Sequence, residues 1–408
     1  MSKWNKISIG EFIDFNPSES IKKGTIARKI PMDKLGTFQR KINGSELSEY
    51  SSGPKFRNGD TLVAKITPCL ENGKTALVDI LNDKEVAFGS SEFIVLRENK
   101  NSDKKFIYYL SRSPLFRNKA ISCMEGTSGR KRVNEGALKT QEILVPDLPT
   151  QQKIASVLSA LDDKIELNNS INEELEAMAK TLYDYWFVQF DFPIVTSSGV
   201  EKPYKSSGGK MVYNETLKRE IPEGWEVKTV GELVNIFDSK RIPLSKSERE
   251  KKKGIFPYYG ATEIMDYIND FIFDGEYILL AEDGSVMNSE GFPILQYIYG
   301  KTWVNNHAHV LQSKQIEYTE YLYKLLEMIP VILIKSGSIQ MKINQDNLLN
   351  YKLLVAPETL ILKYSKFAKS IRQKLIQNQK QNQELSASRD WLLPMLMNGQ
   401  VKVGEIIL

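Results

Sequence analysis

The chain repeats itself once, and this constrains its fold more than any other feature, because a repeat settles architecture before any motif is read. Val133-Asn-Glu-Gly-Ala-Leu138 aligns with Ile343-Asn-Gln-Asp-Asn-Leu348, an offset of 343 − 133 = 210 residues. At the same offset Ile143-Leu-Val145 meets Leu353-Leu-Val355, Asn168 meets Asn378, Asn172 meets Asn382 and Glu174-Leu175 meets Glu384-Leu385, without a gap. The halves also begin alike, Trp4 to Gly10-Glu11-Phe12 resembling Trp225 to Gly231-Glu232-Leu233. Between these anchors the sequences diverge, although Arg57–Ala64 and Phe273–Leu280 share a turn-then-strand pattern. A frame that outlasts its contents reads as two globules with parallel roles and different targets. A duplication serving stability alone is the alternative.

From Thr150 the pattern becomes helical. Ile154, Leu158, Leu161, Ile165, Asn168, Asn172, Leu175, Ala179 and Leu182 are spaced alternately four and three apart, a heptad seam. The second half places Tyr364, Ala368, Ile371, Leu375, Asn378, Asn382, Leu385, Arg389 and Leu392 on its own seam. The matching pairs Asn168/Asn172 and Asn378/Asn382 fix register if buried, since a seam Asn needs a hydrogen-bonding mate; the other reading turns them to solvent. Each seam of about 28 residues makes a rod of roughly 42 Å, against about 34–36 Å for one turn of DNA.

These patterns predict an α+β fold: two globular α/β domains, 1–149 and 225–357, separated by two long helices forming an antiparallel coiled coil, with an internal pseudo-twofold repeat. The first helix covers 150–190, and 191–224 is a linker, its Gly- and Ser-rich part near 197–218. The second helix and C-terminal tail fill 358–408. The aromatics between Tyr183 and Phe192 either cap the local core or offer a docking patch.

Composition sets the class. Hydrophobic residues at 41% and charged residues at 26% suit a globular protein, and 55 Lys+Arg against 51 Asp+Glu leaves only +4, which permits nucleic-acid binding without demanding it. Two cysteines, Cys69 and Cys123, argue against a disulfide framework and fit a reducing cytoplasm. The start lacks the apolar core of a signal peptide, and the most apolar run, Met328–Ile334, is too short to span a membrane. A cytoplasmic protein with no membrane partner is expected.

Catalytic chemistry is missing. No phosphate-binding G-x-x-x-x-G-K-[ST] loop occurs, and Gly126-Thr-Ser-Gly129-Arg-Lys131 has the wrong spacing. His307 and His309 are the only histidines, with no zinc-type ligand spacing around them. Asn16-Pro17-Ser18 lacks the second Pro and the aromatic of an adenine-methyltransferase motif, and Asp162-Asp163 reads as a solvated pair on a helix. The expectation is a non-enzyme with no metal and no cofactor of its own.

Double-stranded DNA would be read from three loops in each half. The first is Ser128-Gly129-Arg130-Lys131-Arg132, matched by Ser336 to Lys342 with Ser338 and Gln340 between. The second is Lys65-Ile66-Thr67-Pro68, matched by Ala281 to Val286, whose acidity counts against phosphate contact. The third is Phe88-Gly89-Ser90-Ser91-Glu92, matched by Trp303 to His309, where Asn305, Asn306 and His307 either contact bases or build a turn. Tyr258, Tyr259 and Thr262 add aromatic and hydroxyl groups. Basic stretches carry Arg28, Lys29, Arg40 and Lys41 in the first half and Lys240 and Arg241 in the second; such stretches give salt-sensitive affinity or are merely solvated.

Four framework motifs resemble the specificity subunits of type I restriction–modification systems: Leu148-Pro-Thr-Gln151-Gln152-Lys-Ile-Ala155, Phe190-Asp-Phe-Pro193, Ile221-Pro-Glu-Gly-Trp225 and Trp303-Val-Asn-Asn-His-Ala308. The resemblance spans nearly the whole chain, although Ala356-Pro-Glu-Thr-Leu-Ile361 lacks the Pro-x-Gln-Gln opening of the second helix. It implies target-recognition domains that each read half of a split, asymmetric target. It also implies spacer helices that dock two modification (methyltransferase) subunits using S-adenosylmethionine, joined by restriction (translocase/endonuclease) subunits using ATP and magnesium. The rivals are a free-standing DNA-binding regulator and a coiled-coil interaction scaffold.

Overall fold

The structure is a computed structural model that describes residues 4–127, 129–195, 199–337 and 341–404. The fold is α+β, in two compact units: Met1–Ile171 with Gln377–Leu408, and Asn172–Ile376. Two long helices, Leu148–Tyr183 and Glu358–Met397, each contribute one end to either unit. No described helix is long and apolar enough to cross a membrane.

In the first unit a two-stranded clasp closes the globule. Trp4–Ser8 pairs antiparallel with Glu142–Pro146, so this strand lies beside the base of the first long helix. Ser8 then caps the short helix Ile9–Phe12 in a reciprocal box with Glu11, which satisfies orphan N–H groups and turns the chain inward. A four-stranded antiparallel sheet follows, ordered Asp14–Phe15, Phe93–Arg97, Thr61–Ala64, Thr75–Leu77. A second sheet is ordered Glu46–Glu49, Ile26–Ile30, Ala87–Gly89, Lys55–Phe56. The main core joins Phe12, Phe106, Tyr108 and Phe116 to Leu393, Leu396 and Met397 of the second long helix. Burial of these side chains, at about 25 cal/mol per Å² of apolar surface, holds the helix to the globule.

The second unit repeats the frame. Glu226–Thr229 pairs with Lys352–Val355, and Thr229 and Glu232 box the helix Val230–Leu233. Its sheet is larger, six strands ordered Val234–Ile236, Ala308–Ser313, Phe273–Ala281, Leu295–Val304, Lys253–Tyr259, Ile264–Ile268. The stretch read as a linker carries two short hairpins, Pro193–Val195 with Glu201–Pro203 and Met211–Asn214 with Arg219–Pro222. Aromatic stacking orders it: Tyr204 stacks on Phe192 at 4.5 Å, and Phe190 and Phe192 pack on Trp225. Tyr183, Trp186, Phe187 and Phe190 are buried in the core with Tyr321 and Tyr364, so these four cap that core, while Tyr185 remains exposed.

The long helices pair antiparallel within each unit. In the first, Asn168 is buried and its Nδ2 donates to Gln381 Oε1 (2.8 Å) and Asn382 Oδ1 (2.9 Å), while Asn382 Nδ2 donates to Asn169 Oδ1 (2.8 Å). In the second, Leu175 and Ala179 pack on Ile371 and Leu375, and the Tyr364 hydroxyl donates to the Ala179 carbonyl. Asn378 is buried and Asn172 half-buried.

Candidate nucleic-acid interface

In each unit the backbone brings the three expected loops to one place. In the first, the Lys65 N–H donates to the Glu92 carbonyl (2.9 Å) and the Lys65 carbonyl accepts from Val133 N–H (2.9 Å). Two residues on, Thr67 exchanges hydrogen bonds with the backbone of Lys131. The loops at 65–68, 88–92 and 129–132 are thus knitted together at the end of the central strands. Arg132 forks onto the Glu92 carboxylate at 2.7–3.1 Å, and this pairing holds that carboxyl below its ordinary value. Lys65 reaches Glu135 (3.4 Å), whose other oxygen accepts from Asn16 (2.6 Å). Ser91, Arg130, Lys131 and Lys41 are exposed; Ser90 is half-buried and caps the turn by accepting from Glu92 N–H.

The second unit builds the same junction. The Glu282 N–H donates to the His307 carbonyl (2.8 Å), and the Glu282 carbonyl accepts from Ile343 N–H (2.8 Å). Around that backbone lies a dense ion-pair network. Glu282 takes Arg241 (2.5 Å) and Lys342 (2.9 Å); although burial alone would raise its carboxyl, these two cations leave it lowered. His309 is buried, its Nδ1 at 2.6 Å from Asp238 and its Nε2 at 3.0 Å from the Ile343 carbonyl. His307 Nδ1 meets Asp283 at 2.7 Å. Asp238, Glu282 and His309 bring one ligand atom each within 4.8 Å of one another, but Arg241 and Lys342 already sit on this carboxylate cluster, so it reads as an internal network rather than a metal cradle. Ser336 closes its hairpin by donating to the Lys342 carbonyl (3.3 Å). Lys240, Thr262, Asn306 and His307 are exposed and Tyr259 is half-buried, its phenol pushed up to about 12 by burial.

Several expected contact residues are structural instead. Arg40 is buried, locked to Asp163 and Glu166 of the first long helix. Tyr258 is buried, its hydroxyl accepting from Leu244 N–H (2.9 Å) beneath the Arg249 guanidinium. Asn305 is buried and accepts from His307 N–H, so it builds the turn and its neighbours are presented. Arg241 serves Glu282 and the Ala308 carbonyl. Arg28 and Lys29 are half-buried and paired with Glu85 and Glu46. Asp162, read as solvated, is buried against Arg389 (2.5 Å) and the Tyr109 hydroxyl (2.7 Å). Ser128, Ser338 and Gln340 lie outside the described residues.

The family model for the type I restriction modification DNA specificity domain matches residues 1–177 and 222–359, well over half of the chain. The chain belongs to that family. As a specificity subunit it is a non-catalytic, DNA-recognising member of a type I restriction–modification complex. Among curated relatives it is 27% identical to the MjaIX specificity subunit of Methanocaldococcus jannaschii, over 74% of this chain and 70% of that one. It is 24% identical to the HindI specificity subunit of Haemophilus influenzae, over 98% and 100%. The fold is similar to the type I S subunit from M. genitalium, at a TM-score of 0.61, 20% identity and coverage of 97% and 96%.

What the sequence alone missed in this specificity subunit is the grip between globule and helices: Arg40, Tyr109 and Arg112 on one side, and Asp162, Asp163, Glu166, Arg389 and Asp390 on the other. One signal was present. Arg389 is the one charged residue on its seam, and such a residue requires a buried partner.

Proposed function

We propose that each unit reads one half of a bipartite, asymmetric double-stranded DNA target, and that the two long helices act as an antiparallel coiled-coil spacer in a pseudo-twofold frame. The carrying observation is that one backbone junction, Lys65 in the first unit and Glu282 in the second, gathers three loops from each half and dresses them with different charges. Exposed Ser91, Arg130 and Lys131 in the first unit, and Asn306, His307 and Lys342 in the second, are suited to phosphates and base edges. Asn168 and Asn382, with Asn172 and Asn378 nearby, set the helix register by demanding polar mates.

In this reading the helices present two modification subunits, which bring S-adenosylmethionine for adenine methylation. Restriction subunits bring ATP and magnesium for translocation and cleavage. The specificity subunit holds no cofactor and works in the cytoplasm. Methylome sequencing of cells expressing the chain with its cognate modification subunit tests it. The expected result is one bipartite adenine-methylated motif; a continuous motif, or none, contradicts the proposal.

A further inference from the structure

In the second unit His307 is exposed and yet held at three of its polar atoms. Its N–H donates to Asn305 Oδ1 (2.9 Å) and its carbonyl accepts from the Glu282 N–H (2.8 Å), which fixes the backbone on both sides of the side chain. Its Nδ1 lies 2.7 Å from Asp283 Oδ1; a carboxylate oxygen only accepts, so Nδ1 donates. A partner on one imidazole nitrogen sets the direction of the ring and leaves the other nitrogen to meet a ligand. That nitrogen is Nε2, which has no partner among the described residues. The His307 side chain is 49% exposed and that of Asp283 29%, so the ring is the more open member of the pair. A side chain ordered before it binds loses less freedom on binding, which suits a contact that must discriminate.

The charges around the ring select what it meets. Asp238, Glu282 and Asp283 bring three carboxylates to this junction, and the nearby cations Arg241 and Lys342 are already spent on Glu282. A phosphate reaching for Nε2 would approach the Asp283 carboxylate behind the ring, a like-charge encounter. A base edge is neutral and offers hydrogen-bonding groups in the major groove. In the first unit the same backbone place belongs to Glu92, whose carboxylate is taken by Arg132, so the carboxylate-held imidazole is particular to the second unit.

We infer that His307, directed by Asp283, is a specificity-determining residue whose Nε2 meets a base edge in the half-site read by the second unit. Asp283 is its positioning residue. This rests on the bipartite reading proposed above and deepens it by naming a side chain that discriminates bases.

The test uses the chain assembled with its cognate modification subunit, on duplexes carrying the methylated motif and every single-base change along both half-sites. His307→Ala should weaken rejection of the wrong base about tenfold at one position, or at two adjacent ones, of a single half-site, the scale of one lost base contact. The other half-site should keep its discrimination at every position. The slope of log affinity against log salt should not change, since no phosphate contact is lost. Asp283→Ala should relax the same position by a smaller factor, and Asp283→Asn, which keeps the accepting oxygen, should restore it. Both side chains reach solvent, so neither variant strands a buried group.

Unchanged discrimination in His307→Ala overturns the inference. So does an equal loss of affinity for every sequence, the mark of a merely structural residue, or a salt slope lower by about one, the mark of a phosphate contact. Relaxed positions in both half-sites overturn it as well. If Asp283→Ala relaxes a different position or none, the positioning role of Asp283 is overturned. A wild-type complex without a bipartite motif would overturn instead the reading on which the inference rests.

Discussion

Lys65 in the first unit and Glu282 in the second hold the same place in their backbones and carry opposite charges. Each donates its N–H to the third loop and accepts from the residue that opens the helix-capping step, Val133 or Ile343. The frame is therefore indifferent to the side chain it carries there. In the first unit the junction is basic and its ion pairs lie near the surface, such as Arg132 with Glu92. In the second the carboxylates of Asp238 and Glu282 are nearly buried and held by Arg241, Lys342 and His309. In the proposed reading, separating frame from loops lets the two units differ in what they contact while keeping how they are held.

The grip on the helices differs in the same instructive way. In the second unit one buried pair, Arg372 with Glu320, does this work between Tyr297 and Tyr323, and burial pushes the Glu320 carboxyl up despite the arginine. In the first unit the carboxylates that hold Arg40 reach water. Arg372→Ala should therefore cost most, about 3 kcal/mol, because it strands a carboxylate in the interior. Hydrogen exchange checks it locally: strand Lys352–Val355 should lose protection while Glu142–Pro146 keeps it. Arg40→Ala should cost less, about 1–2 kcal/mol, since its partners can return to solvent. Equal losses for the two would erase the distinction between the grips.

A smaller effect is expected at the seam. Asn168→Ala removes two hydrogen bonds whose partners, Gln381 and Asn382, can find water, and should cost about 1 kcal/mol, read as faster exchange in the helix near Asn168. The smallest is at the loops. Lys131→Ala should leave stability unchanged and lower the slope of log affinity against log salt by about one, as expected for one phosphate contact. An unchanged slope would place the DNA away from the junction of the first unit.

How much of this was legible depended on distance along the chain. The opening strand with its boxed helix and the Asn-capped step at Asn134 and Asn344 appear in the sequence because each recurs in both halves, the first at an offset of 225 − 4 = 221 and the second at 344 − 134 = 210. The seam was legible because its period is local. The loops could be named from the same frame, but not which side chains point outward. Tyr258 and Asn305 are polar residues in turn-like sequence, and only the packing around Leu244 and His307 shows that they are internal. Arg40 belongs to a basic run that looks solvated, and its partners Asp163 and Glu166 are more than a hundred residues away. The hairpins between Pro193 and Pro222 were obscured by glycine and serine, which read as a loop until Tyr204 finds Phe192.

The central claim is that two readers share one frame. The measurement that tests it most directly is the methylome of a chimera in which residues from about 225 to 350 are exchanged for those of another specificity subunit. One half of the bipartite motif should change and the other should remain base for base. A motif altered in both halves, or in neither, would contradict it.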